Sequence, residues 1–148
     1  IKGIENVRTR EKDGYLYLTK AWKEDFLQIE FPMAVQVIGA DPSVREDIGK
    51  AAVMRGPVVY CLEEADNGQD LHLLKMDEDA SFETEWKEIS TESVIAVRAQ
   101  GWRQKKAQNT ALYAPYESAE YERTTLTWIP YYTWANRGEG EMQVWTRI

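Results

Sequence analysis

The sequence predicts an all-β fold, an antiparallel β-sandwich, and three observations point to it. Apolar and polar residues alternate with a period of two in segment after segment. Gly, Pro, Asn and Asp interrupt those segments at short intervals, as turns between strands do. The chain has 148 residues with six Trp and eight Tyr, enough length and ring volume to fill a core.

Taken in order, Asp13-Gly14 is a turn pair, and residues 15–18 after it are rich in strand formers. Leu27, Ile29 and Phe31 alternate with Gln28 and Glu30, and Pro32 ends that strand. Val35 and Val37 flank Gln36 in a third. Asp41-Pro42-Ser43 is a turn. Residues 43–50 fit a helical turn or two, with Ser43 as cap and Glu46 three residues on. Arg55-Gly56-Pro57 reads as a strand bend, because Gly permits unusual backbone and Pro removes a donor. Residues 58–62 are apolar at nearly every position, the pattern of a strand buried on both faces.

Residues 66–70 form a polar loop, and residues 71–76 a strand carrying His72. Phe82, Thr84 and Trp86 alternate with Glu83 and Glu85, which puts the acids on a solvated face. Residues 94–99 are a strand. Residues 100–109 are basic and polar and read as a loop, and residues 115–123 are mixed. Leu126 and Trp128 alternate with Thr125 and Thr127. Gly138-Glu139-Gly140 fills a hairpin-length gap before a last strand at 142–146. The total is about nine short strands, as sandwiches have. A subdivision falls near residues 40–49. The first block is too short for a core of its own, so it either pairs with strands outside the chain or joins the larger sheet. That leaves room for an incomplete second small sandwich.

Composition excludes several roles. The net charge is -7 and the pI about 4.8. Phosphate backbones and anionic membrane surfaces would be repelled, whereas a neutral sugar is indifferent to that charge. No apolar run reaches membrane-spanning length. No secretory leader is present, and the chain opens on Ile1, so it reads as a piece cut from a longer protein. One cysteine, Cys61, rules out an internal disulfide. It leaves the compartment open while leaning to a reducing, cytoplasmic one.

The residues able to carry chemistry are few. His72 is the only histidine, and a strand histidine facing solvent is the plain reading. Cys61 sits among Val58, Val59 and Leu62, a setting that opposes the thiolate a nucleophile or metal ligand needs. A glycosidase needs two carboxylates across a cleft, one with a raised pKa, and Glu83 with Glu85 read instead as a solvated strand face. There is no dinucleotide-binding, phosphate-loop or serine-hydrolase signature.

The densest feature is Ile129-Pro130-Tyr131-Tyr132-Thr133-Trp134-Ala135-Asn136-Arg137-Gly138, an aromatic run closing on a turn. Trp128, Tyr131, Tyr132 and Trp134 are candidates for packing or for carbohydrate contact. If Pro130 adds no bulge, positions 128, 132 and 134 share one face. Arg137 either pairs with an acidic neighbour or caps the turn.

That run resembles the C-terminal part of glycoside hydrolase family 127, the β-L-arabinofuranosidases. So does Val53-Met54-Arg55-Gly56-Pro57-Val58-Val59-Tyr60-Cys61-Leu62-Glu63. Weaker segments of the same resemblance are residues 14–22, Ile29-Glu30-Phe31-Pro32-Met33 and Glu141-Met142. The stretch between Ala65 and Thr124 shares no motif with the family.

The resemblance implies a large helical barrel ahead of β-sandwich domains. It places the chemistry in that barrel, where a cysteine nucleophile, a glutamate and a zinc held by further cysteines remove terminal β-L-arabinofuranose with retention. None of those motifs matches a position here, and Cys61 belongs to the tail motif. The expectation is a non-catalytic accessory region from a bacterial hydrolase, without cofactor or metal of its own. It would support the helical barrel or mediate subunit contacts, as in a homo-oligomer. The alternative is a carbohydrate-binding module with exposed aromatics.

Overall fold

The computed structural model describes residues 7–24, 26–106 and 111–148. It divides into two compact units, Ile1–Pro32 and Met33–Ile148. The first unit is a hairpin of β1 (Arg8–Lys12) and β2 (Tyr15–Thr19) with a short tail. Its two-residue turn has positive φ at both Asp13 and Gly14, the geometry that matches strand twist in the tightest hairpins. The alternating segment 27–31 does not become a strand: only Gln28 forms an isolated bridge, and Ile29 and Phe31 stay exposed.

The second unit is all-β, as its periodicity predicts. Its strands are β3 (Val35–Gly39), β4 (Lys50–Arg55), β5 (Val58–Glu63), β6 (Leu74–Met76), β7 (Glu83–Ile89), β8 (Glu92–Gln104), β9 (Tyr121–Pro130), β10 (Met142–Gln143) and β11 (Thr146–Arg147). A one-turn helix, α1 (Glu64–Asn67), follows β5. Hydrogen-bonded neighbours run β5–β9–β8–β6–β11–β4, and the β4–β5 hairpin returns to the start. The sheet therefore closes on itself. Pairing is antiparallel except where Arg147 of β11 meets Lys75 of β6. No described helix is long and apolar enough to cross a membrane.

Alternation along these strands sorts side chains into two clusters. The larger holds Ala51, Val53, Tyr60, Leu62, Leu74, Met76, Val97, Ala99, Leu126 and Trp128. Partner residues in register, such as Leu62, Trp128 and Val97, stack across three strands on the same face. The opposite face of β5 and β9 gives Cys61 and Ile129, which join Ile89 and Val94 under Met142 and Val144.

Several expectations are corrected by pairing. Gly56-Pro57 is a hairpin turn, with Gly56 at φ +57, and not a bend. β5 is buried on both faces only from Tyr60 onward; Val58 is half-buried and Val59 is 36% exposed, because the β4 side of this end is a two-pair hairpin tip. His72 lies in the 3₁₀ turn Leu71–Leu73, so the strand there shrinks to β6. Residues 45–47 form a 3₁₀ turn that Ser43 does not cap, since its hydroxyl and amide both donate to Asp41 Oδ1. Phe82 packs on the core, but Trp86 is 73% exposed on β7, which among the described residues pairs only with β8 and meets solvent on both faces there.

β8 runs on through Gln104, well into the segment read as a loop; residues 107–109 of that segment lie outside the described residues. The last strand splits into β10 and β11, which pair with different partners. Residues 40–49 connect β3 to β4, two paired neighbours inside the second unit.

Candidate functional site

The aromatic run straddles the end of β9. Trp128 is still in the strand, paired with Leu62 and Val97, and it is fully buried against Phe82 at 6.0 Å between ring centroids. Pro130 ends the strand because it has no N–H to extend the ladder. The chain then makes the 3₁₀ turn Tyr131–Thr133, so strand alternation stops there. Tyr131, Tyr132 and Trp134 come out exposed, at 43%, 64% and 39%, while Thr133 turns inward and donates to the Pro130 carbonyl at 2.7 Å. Tyr131 and Trp134 lie 6.5 Å apart with their planes tilted by 35°. The five candidates thus divide into one core ring, three surface rings and Arg137.

Arg137 is the anchor of this turn. Its Nε donates to Glu63 Oε2 at 3.0 Å, and Nη1 and Nη2 donate to Asp66 at 2.9 and 2.6 Å, with Nη2 also on Glu63. Lys87 reaches Asp66 at 2.9 Å. The Glu63 and Asp66 side chains are nearly buried, so two carboxylates and two cations neutralise one another out of water. Burial pushes the Asp66 carboxyl up, but hydrogen bonds from Arg137 and Lys87 outweigh it and hold it below the usual range. The hydrogen bonds that Arg137 donates to Asp66 and Glu63 raise it further, against the opposing effect of its burial.

Backbone clamps extend the anchor. Ala135, at φ 63, donates its N–H to Glu63 Oε1 at 3.0 Å. The Glu141 carboxylate accepts from the N–H groups of Asp70 and Leu71, and Glu64 Oε2 accepts from the Glu141 N–H. Asn67, which the sequence shows only as part of a polar loop, substitutes for a strand. Its Nδ2 donates to the Thr127 carbonyl at 2.9 Å and its Oδ1 accepts from the Thr127 N–H at 2.9 Å. Asp-Asn-Gly signals a turn, but nothing in sequence says that its amide completes a ladder sixty residues away.

Beside the aromatic turn lies an open groove of about 790 Å³, with Tyr131 and Trp145 among its walls and Lys50, His72 and Arg147 at its polar edge. Cys61 and His72 do not form a pair. Cys61 is fully buried on β5, and burial, with Glu63 adding to it, pushes its thiol up to about 12. His72 is exposed on its turn. Glu85 pairs with Arg98 across the β7–β8 surface at 3.2 Å. Among the described residues, no three His, Cys, Asp or Glu side chains converge as a metal site.

Comparison with known proteins adds the following. The family model of the glycoside hydrolase family 127 C-terminal domain matches residues 35–147. The chain is 34% identical over 146 residues to the non-reducing end β-L-arabinofuranosidase of Bifidobacterium longum subsp. longum, covering 92% of this chain and 22% of that protein. Among solved structures, a GH127 β-L-arabinofuranosidase from Geobacillus stearothermophilus T6 superposes with a TM-score of 0.73 at 39% identity, over 89% of this chain and 19% of that one. Another GH127 β-arabinofuranosidase gives 0.78 at 31% identity, over 96% and 22%. The chain therefore spans about a fifth of the length of these relatives.

Proposed function

The chain belongs to the glycoside hydrolase family 127 C-terminal domains, and from that premise we propose that it is the non-catalytic accessory region of a β-L-arabinofuranosidase-like hydrolase, docking onto that enzyme's helical barrel. The observation that carries the non-catalytic reading is the state of the reactive groups. The one thiol is buried and held protonated. The two nearly buried carboxylates that anchor the aromatic turn, Glu63 and Asp66, are both spent on Arg137. The zinc expected of the parent enzyme does not fit these residues, which supply one buried thiol and one exposed imidazole.

Docking is supported by the turn at 131–134. Three exposed rings on a backbone fixed by ion pairs can bury much area at little entropic cost. The test joins two measurements. Purified chain should release nothing from a chromogenic arabinofuranoside and carry no stoichiometric zinc; turnover abolished by Cys61→Ala would overturn the reading. In the full-length enzyme, Tyr132→Ala and Trp134→Ala should weaken the domain contact, read as a lower melting temperature of the barrel, with the 148-residue chain unaffected.

The groove favours a second reading, a carbohydrate-binding surface. Tyr131 and Trp145 offer ring faces, and Lys50, His72 and Arg147 offer polar groups beside them. Arabinose oligosaccharides that perturb tryptophan emission of the chain, and fail to do so after Trp145→Ala, would favour this reading over docking.

A further inference from the structure

Strand register lines up a row of outward side chains across the second unit. Arg147 of β11 faces Lys50 of β4 on one side and Lys75 of β6 on the other. Lys75 in turn faces Trp102 of β8, and Trp102 faces Arg123 of β9. Register partners share a face of the sheet. Here it is the outer face, because Ala51, Leu74 and Met76 beside them turn into the core and Thr146 is fully buried. Three adjacent positions of the row are thus cations, in a chain of net charge -7.

Like charges set directly opposite one another destabilise a sheet, and no carboxylate relieves these two contacts. Lys87, Arg98, Lys105, Lys106, Arg123 and Arg137 each meet a carboxylate. Among the described residues, Lys50, Lys75 and Arg147 do not. Lys50 Nζ donates to the Glu46 carbonyl at 2.7 Å, and Arg147 Nη1 donates to Gln104 Oε1 at 3.1 Å. Arg147 Nη2, shielded from solvent, has no hydrogen-bond partner. The row opens onto the groove: Lys50 and Arg147 line it together with the rings of Tyr131 and Trp145, and Asp47 is the one carboxylate among its described walls. Farther along, the Arg123 guanidinium lies 3.8 Å above the Trp102 ring.

We propose that the groove and the basic row leading from it bind an oligosaccharide that carries uronic acids, its sugar rings on Tyr131 and Trp145 and its carboxylates on Arg147, Lys50 and Lys75. The inference rests on the reading of the groove as a carbohydrate surface and adds the charge of the ligand. A neutral sugar would use the rings and leave the facing cations unrelieved. An acidic peptide would meet the cations, but its carboxylates sit on flexible side chains that present no flat face to the rings. A uronate offers both in one rigid unit.

Titration of the 148-residue chain with tetragalacturonate, with its methyl-esterified form and with an arabinose oligosaccharide, followed by tryptophan emission, tests this. Tetragalacturonate should bind at least about tenfold more tightly than either neutral ligand, and its affinity should fall as salt rises. Lys75→Gln should weaken it about tenfold while the melting temperature does not fall, since one of the charges facing Arg147 is gone. A lysine with a merely structural role would show the reverse, lower stability with affinity unchanged, and that result would overturn the proposal. Equal affinity for the acidic and neutral sugars would also overturn it, and would leave the carbohydrate reading of the groove standing. Binding of tetraglutamate or inorganic sulfate as tight as that of tetragalacturonate would report bare charge attraction and sink the proposal. No binding by any of the sugars would sink both readings. The full-length gene product should show the same preference; its loss there would mean that the parent covers the row, and would overturn the proposal.

Discussion

At the scale of single residues, the second unit is held by polar groups whose partners lie far away in sequence. Arg137→Ala would leave Glu63 and Asp66 buried without their main cation, at a cost of about 3 kcal/mol. Denaturant melts read at neutral pH and at 1 M salt check this, because a buried network is screened far less than a surface pair. The pH dependence has a definite sign. Asp66 has a folded pKa below its unfolded value, so its contribution is present above the unfolded carboxylate range and is lost as pH falls through the folded value. Melting temperature should therefore drop below about pH 4, and Asp66→Asn should flatten that drop. Asn67→Ala should cost about 2 kcal/mol, since it strands both backbone groups of Thr127 in a half-buried ladder. Of these residues, Arg137 was legible as a pairing candidate; Asn67 was not, because a side chain that imitates a strand leaves no periodic trace.

Among the elements, close approach decides what each strand tolerates. At Gly101 in β8, an added Cβ would lie 2.6 Å from the Lys75 carbonyl and 2.7 Å from Leu126 Cδ1. Gly101→Ala should push β6 away from β8 and destabilise by about 1–3 kcal/mol in urea unfolding. β5 offers a matched comparison on one face. Cys61→Asp should abolish folding, because the charge would be buried without a partner. Val59→Asp should change stability by less than about 1 kcal/mol, because the side chain reaches solvent. The apolar run 58–62 suggests equal burial throughout; which end is covered depends on β9, whose pairing reaches only Tyr60 to Leu62.

For the whole molecule, every buried residue described lies between Ala51 and Thr146. A chain of residues 33–148 should therefore unfold as cooperatively as the 148-residue chain, with a melting temperature within a few degrees of it. A broad, non-cooperative transition in circular dichroism for the shorter chain would contradict this. The closed sheet explains why the unit is self-sufficient: among the described residues its pairing leaves only β3, β7 and the two-residue β10 as edges, and β7 carries Glu83, Glu85, Lys87 and Glu88 to keep other strands off.

Local physics wrote much of this into the sequence. Period-two alternation marked many strands, because successive side chains of a strand point to opposite faces. Asp13-Gly14 marked its turn, because these two residues tolerate the positive φ that a two-residue hairpin favours. The two motifs of the aromatic and Tyr-Cys-Leu-Glu runs carried the family. Tertiary structure decided the remainder. The run 27–31 alternates like a strand and is not one, since alternation cannot supply a neighbour to pair with. The aromatic run reads as one feature and is two, since Pro130 ends the ladder and sends Trp128 into the core and Tyr131, Tyr132 and Trp134 to the surface. Which carboxylates meet Arg137 was likewise settled only by the fold, because Glu63 and Asp66 come within reach once β5 and β9 have paired.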